Sequence, residues 1–195
     1  MNDGQFYDTP QTDFSNDCQV HWSSLSFRDL EAAYHRTAQP GDPKFALTIR
    51  YENIMNFVES DRMWPPTAPI KDRFVPVFCE VLSRLPADVF RRVEDETSII
   101  LEMHDLQMLA INVPGPHCAP SGRCPNTIVF FHPCWELSSK ALVGLVAHEV
   151  AHSFVAGEDY QSDETHANQQ AMDWGFGEEL RLLRKEKDEK LSARP

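Results

Sequence analysis

The sequence predicts an α+β domain in which a small, mostly antiparallel sheet packs on one buried helix, with additional helices ahead of it. Three observations carry this. Between residues 98 and 131 lie three short runs rich in β-branched and aromatic residues. From Ala141 to Gly157 runs a helix-length stretch that is apolar on nearly every face. Between residues 45 and 93 apolar residues recur at helical spacing. At 195 residues the chain can bury a sizeable core as one domain. It divides into an N-terminal arm (1–43) expected to be partly disordered, a single domain (44–180) and a charged C-terminal helix or tail (181–195).

The arm is rich in Asp, Gln, Ser, Thr and Pro. Within it Ser26–Tyr34 predicts one short helix, with Ser26 as cap and Asp29 as first-turn acid. Gln39-Pro40-Gly41-Asp42-Pro43 breaks the chain. Leu47, Ile49, Ile54, Met55 and Phe57 predict a helix from Phe45 to about Met63, which Pro65-Pro66 ends. A second helix, from about Lys71 to Leu85, puts Phe74, Val77, Phe78, Val81 and Leu82 on one face, with Pro76 near its start. Pro86-Ala87-Asp88 opens a short helix through Val93.

Strands follow at Ser98–Met103, Met108–Val113 and Thr127–Phe131, with a tight turn at His104-Asp105 between the first two. The Gly- and Pro-bearing stretch Pro114–Pro125 reads as a loop. Ser138 or Ser139 then caps a helix that Gly157 ends. Another runs from about Ser162 to Trp174, with Gly175 at its C-terminal cap. The mixed-sign run Arg184–Lys190 reads as a solvated face or a frayed end.

Composition narrows the function classes. A formal net charge of −12 argues against a nucleic-acid partner, because such binding needs Lys and Arg to displace counterions from phosphates. No apolar run is long enough to predict a membrane span. Met1-Asn2-Asp3-Gly4-Gln5 has neither the basic start nor the apolar core of a secretion signal, so a cytoplasmic location is expected. Five cysteines, an odd number with no CxxC pair, fit free thiols better than a disulfide framework.

The chemistry concentrates in His148-Glu149-Val150-Ala151-His152. Histidines at i and i+4 project from one face of a helix and can offer two nitrogens to a single ion. The glutamate after the first histidine then lies where it can take a proton from metal-bound water. Apart from Ser153, these three are the only polar side chains between Ala141 and Gly157. Burying even a neutral polar group without a partner costs about 2–7 kcal/mol, and a zinc ion would satisfy both histidines. Gly144, one turn before His148, is expected to leave room above the metal.

One catalytic Zn2+ needs a third protein ligand and an open position for water. The downstream candidates are Glu158, Asp159, Asp163, Glu164 and His166. A metzincin continuation is excluded, since Val155 and Glu158 stand where its glycine and third histidine belong. Glu164 is the choice: Ala167, Asn168 and Ala171 share its face, and small alanines let the next helix approach closely. Asn168 is expected to hydrogen-bond a ligand histidine. Asp163, His166 or a cysteine remain as alternatives.

His148-Glu149-Val150-Ala151-His152 followed by Glu164-Thr165-His166-Ala167-Asn168 resembles the gluzincin pattern, and its Glu-x-x-Ala-Asn form is similar to small bacterial peptidases of the ImmA/IrrE family. The resemblance covers about residues 98–176 and implies a minimal zincin-like domain. It also implies zinc held by His148, His152 and Glu164, and water activated by Glu149. In such a domain Thr127–Phe131 is expected to be the edge strand that pairs with an extended peptide.

The function expected is a zinc metallopeptidase acting on a peptide or protein substrate, with a regulatory protein as an additional partner. The alternatives are a non-catalytic, zinc-stapled interaction module and a deformylase-like zinc amidase with a cysteine as third ligand. His117, Cys118, Cys124, His132 and Cys134 are candidates for a second metal site. Tyr160, His166, His117 and His132 are candidates to stabilise the developing oxyanion.

Overall fold

The computed structural model describes residues 20–35, 45–60, 62–64, 68–102, 108–113, 117–118, 122–123, 126–154 and 160–193. It is an α+β arrangement of seven α-helices and a small mixed sheet. The helices are α1 (Phe27–Tyr34), α2 (Phe45–Glu59), α3 (Ala68–Arg84), α4 (Ala87–Glu96), α5 (Ser139–His152), α6 (Tyr160–Ala171) and α7 (Gly177–Ala193). The strands are β1 (Met63–Trp64), β2 (Thr97–Leu101), β3 (Ala110–Val113), β4 (His117–Cys118), β5 (Gly122–Arg123) and β6 (Asn126–Phe130). Among the described residues, no helix is long and apolar enough to cross a membrane.

The helices begin where local chemistry supplies a cap. Ser26 and Asp29 form a reciprocal capping box at the start of α1, and the Ser138 hydroxyl accepts from the Ala141 amide at the start of α5. Two helices end earlier than the sequence suggests. Ser60 turns the chain after α2 by donating to the Phe57 carbonyl (2.7 Å), which frees Met63 for β1. The last turn of α5 tightens as the Ser153 and Phe154 amides donate to Val150 and Ala151, so the helix stops at His152 rather than Gly157. Pro76 lies inside α3 rather than near its start. Its ring is exposed, as is Asp72, whose carbonyl it deprives of a helical partner, so water can serve there. Gly175, at φ 93°, takes the left-handed conformation that joins α6 to α7 through a kink.

The main sheet has the order β1-β2-β6-β3 and is mostly parallel, correcting the antiparallel expectation. β1 reaches β2 through α3 and α4, a crossover that returns the chain in the same direction. β2 and β3 are not a hairpin, because β6 lies between them, parallel to β2 and antiparallel to β3. The expected turn at His104-Asp105 lies outside the described residues. β6 takes the interior because Thr127-Ile128-Val129-Phe130 is apolar enough to be flanked on both sides. Among the described strands the edges are therefore β1 and β3, not Thr127–Phe131. Within the expected Pro114–Pro125 loop, β4 and β5 pair as a two-residue ladder.

Ile99 and Leu101 of β2 and Ile128 and Phe130 of β6 form the buried face of the sheet. Phe74 of α3 closes on Phe130 with ring centroids 5.0 Å apart and stacks on Phe78 at 5.6 Å. Trp22 and Leu30 carry part of the N-terminal arm into the same core. Arg50, 5% exposed, donates from Nη2 to the Leu82 and Leu85 carbonyls (2.6 and 2.7 Å) and lies 3.7 Å from the Phe90 ring centroid. It thereby caps the end of α3. The charged C-terminal segment is α7, whose Leu180 and Leu183 are buried, as is Glu179, which pairs with Arg84.

Candidate metal centre

α5 is buried from Ala141 to Ala151 and packs against α3, α6, α7 and β3. Its apolar sequence follows from that surround, since every face meets protein. Gly144 lies where α7 crosses: a Cβ there would be 2.6 Å from the Glu179 carbonyl carbon and oxygen. The glycine thus permits a close helix crossing, rather than leaving room above a metal as the sequence suggests. On α6, Ala167 and Ala171 are fully buried, as expected of small residues at a close approach.

The structure brings His148, His152 and Glu164 together. One nitrogen of each ring and one carboxylate oxygen lie within 4.8 Å of one another. The two Nε2 atoms are 3.1 Å apart, His148 Nε2 is 3.3 Å from Glu164 Oε2, and His152 Nε2 is 3.4 Å from Glu164 Oε1. An ion with ligand bonds of about 2.0–2.1 Å in tetrahedral geometry spaces its donors about 3.3–3.4 Å apart. The donor set of two imidazoles and a carboxylate, which meets the two rings through different oxygens, suits zinc. The histidine side chains are only 10% and 11% exposed, whereas Glu164 is 28% exposed, so the α6 side is the more open.

Burial, with His148 beside it, holds the His152 pKa below its usual range against the opposing pull of Glu164 and Asp163. That favours the neutral imidazole, the form that binds metal. Glu149 is 6% exposed, and burial pushes its carboxyl up to about 7, opposed by His148, reinforced by Glu164 and opposed weakly by Lys187. A dication at the cluster would pull it back toward the carboxylate form.

Two neighbours differ from expectation. Asn168 donates to the Glu164 backbone carbonyl (2.7 Å) inside its own helix and does not orient a histidine. Asp163 does face the site: its Oδ2 lies 2.9 Å from His152 Nδ1. His166 is exposed, two positions past Glu164, on another side of α6. Glu158 and Asp159 lie outside the described residues.

Cys79 and Cys134 are buried free thiols. Burial pushes Cys79 up to about 12 and raises Cys134 further, so both stay protonated, unlike a ligating thiolate. Neither belongs to the donor cluster, and nor does His132. Cys18, Cys124 and the side chains of His117, Cys118 and Tyr160 lie outside the described residues.

Asn112 was not anticipated. From β3 its Nδ2 donates to the Glu149 carbonyl (2.9 Å) and the Ser153 hydroxyl (2.8 Å), fastening the sheet edge to the end of α5. Its signal was in the sequence: it is the one polar side chain in the run Leu109-Ala110-Ile111-Asn112-Val113. Comparison of the chain with protein-family models, curated proteins and solved structures finds no significant match.

Proposed function

We propose that this chain is a zinc-dependent peptidase, with His148, His152 and Glu164 as metal ligands and Glu149 as general base. The observation that carries the reading is the cluster of two imidazole nitrogens 3.1 Å apart, each within 3.4 Å of an oxygen of the Glu164 carboxylate, with a glutamate directly after the first histidine. When bound, zinc would lower the pKa of a coordinated water to about 7 and polarise the substrate carbonyl. Glu149 would take a proton from that water and later return it to the leaving amine. A carboxyl that burial holds near neutrality suits both transfers. A purely structural staple has no use for a second buried acid beside its ligands, and burying one is costly.

Peptide recognition is supported by β3. The Phe131 amide donates to the Leu109 carbonyl (2.9 Å), so by the antiparallel alternation Leu109, Ile111 and Val113 bond toward β6. The amides and carbonyls of Ala110 and Asn112 therefore point to the outer edge, where no described strand pairs. Because Asn112 also grips the end of α5, an extended peptide added there would run beside the ligand cluster. In this reading the domain is zincin-like and similar to the ImmA/IrrE peptidases.

The test is direct. Elemental analysis should find about one zinc per chain, and Glu164→Ala should lose it. Glu149→Gln should keep the metal while cleavage of a peptide library falls by roughly 10²–10⁴-fold. Purified protein that resists zinc loading, or undiminished cleavage by Glu149→Gln, would overturn the proposal.

A further inference from the structure

We infer that Asp163 is the positioning residue for His152: it accepts a hydrogen bond from Nδ1–H and thereby holds the ring with its Nε2 lone pair on the donor cluster. This rests on the metal-site reading above and deepens it.

The two histidines are not held alike. His148 lies within α5, its ring fixed by packing on a helix buried from Ala141 to Ala151, and its Nδ1 is buried with no hydrogen-bond partner. His152 is the last residue of α5, where the regular helical bonds give way to the shorter ones made by the Ser153 and Phe154 amides. It is there that the structure supplies an outside partner, Asp163 Oδ2 at 2.9 Å from Nδ1.

An ionised carboxylate only accepts hydrogen bonds, so this contact places the imidazole proton on Nδ1. The lone pair of the neutral ring is then on Nε2, the atom 3.1 Å from His148 Nε2 and 3.4 Å from Glu164 Oε1. Asp163 and Glu164 are consecutive in the first turns of α6, about 100° apart around the helix. One reaches the Nδ1 side of the ring and the other the Nε2 side. A single helix turn thus provides both a ligand and the support of its neighbour. Asp163 is not itself placed as a ligand, because it meets the ring on the side away from the cluster. Asn168, one turn beyond Glu164, is committed to the Glu164 carbonyl. A supporting carboxylate of this kind fixes ring orientation and raises ligand basicity, and its loss costs roughly 10–100-fold in metal affinity.

The experiment uses the full chain with Asp163→Ala and Asp163→Asn. Zinc affinity is measured by competition with a chromophoric chelator, and the His152 tautomer by long-range proton–nitrogen NMR on histidine-labelled protein. Asp163→Ala should bind zinc roughly 10–100-fold more weakly and lose the single Nδ1-protonated tautomer. Asp163→Asn, whose amide oxygen can still accept from Nδ1–H, should recover part of both, and it carries the test if the alanine variant does not fold. Affinity within twofold of the parent in both variants would overturn the inference. So would weakened binding with an unchanged tautomer, since Asp163 would then contribute only charge. The tautomer is readable without metal, so a parent protein that binds no zinc would sink the metal-site reading and leave the hydrogen bond separately decided.

Discussion

Gly144→Ala should destabilise the fold and leave the metal site intact. An alanine Cβ would lie 2.6 Å from the Glu179 carbonyl carbon and oxygen and 3.0 Å from the Leu180 nitrogen, where ordinary contact begins at 3.4 Å. These are main-chain atoms of α7 and cannot swing aside as the tip of a side chain would. The helix would have to retreat by about 0.8 Å, the difference between 3.4 and 2.6 Å. It is pinned against that retreat. Arg84 Nη1 meets Glu179 Oε1 at 2.8 Å, and Glu186 accepts from the Ser138 amide and hydroxyl at 2.8 and 2.6 Å. Overpacking typically costs about 1–3 kcal/mol, and a backbone clash lies at the upper end. Alanine's better helix propensity returns about 1 kcal/mol, which leaves a net loss of about 2 kcal/mol. In a chain of this size that lowers Tm by roughly 4–8 °C. Thermal melts followed by circular dichroism, paired with zinc titration of the same variant, read both halves of the claim. An unchanged or raised Tm would refute the clash. Lost zinc affinity at unchanged Tm would show instead that Gly144 makes room at the metal.

Glu149→Gln should also change how the zinc-free protein responds to pH. The carboxyl is raised from 4.5 to about 7 by burial, so its contribution to stability is present below about 4.5 and is lost as pH rises through 7. At 1.36 kcal/mol per unit the loss is on the order of 3 kcal/mol between pH 5 and 8. Urea denaturation across that range should show the decline in the parent protein and not in the variant. Equal pH dependence in both would contradict the assignment. Arg50→Met should cost about 3–5 kcal/mol in the same assay, because the Leu82 and Leu85 carbonyls lose charge-assisted donors inside the protein. A loss below about 1 kcal/mol would mean that water replaces the guanidinium there.

What was legible in the sequence was what local geometry decides. The spacing of His148 and His152 is fixed by one helical turn, and the apolar stretch around them can only be a buried helix. Glu164 was within reach because it lies near the start of the next helix, with Ala167 and Ala171 marking the face that docks. Which of two adjacent acids meets the metal and which meets the ring depends on the roll of α6, and no local pattern encodes that angle. Gly144 is the same glycine under either reading, and only the position of α7 separates a close crossing from an open space. The order of the sheet is hidden in the sequence for a related reason: β2 and β3 are neighbours in sequence, but β6 outcompetes β3 for the interior because it is more continuously apolar. In α7 the numerous charges obscure the i, i+3 spacing of Leu180 and Leu183, which seat it on α5.

Tertiary bonds hold both ends of α5, and at the end where His152 sits helix chemistry explains why they are needed. The last four carbonyls of any α-helix lack partners within it, and the last turn frays unless they are supplied. Here Asn112 donates to the Glu149 carbonyl, while the Ser153 and Phe154 amides turn back to Val150 and Ala151. Three of the four carbonyls are thereby satisfied, one by a strand from across the domain. Asp163 then holds the ring of the last helical residue. A histidine on a fraying turn would have to be ordered each time an ion bound, at a cost in affinity. With both the turn and the ring already held, an ion meets donors near their binding positions. That preorganisation links the hydrogen bonds of β3 and α6 to the chemistry proposed for His148, Glu149, His152 and Glu164.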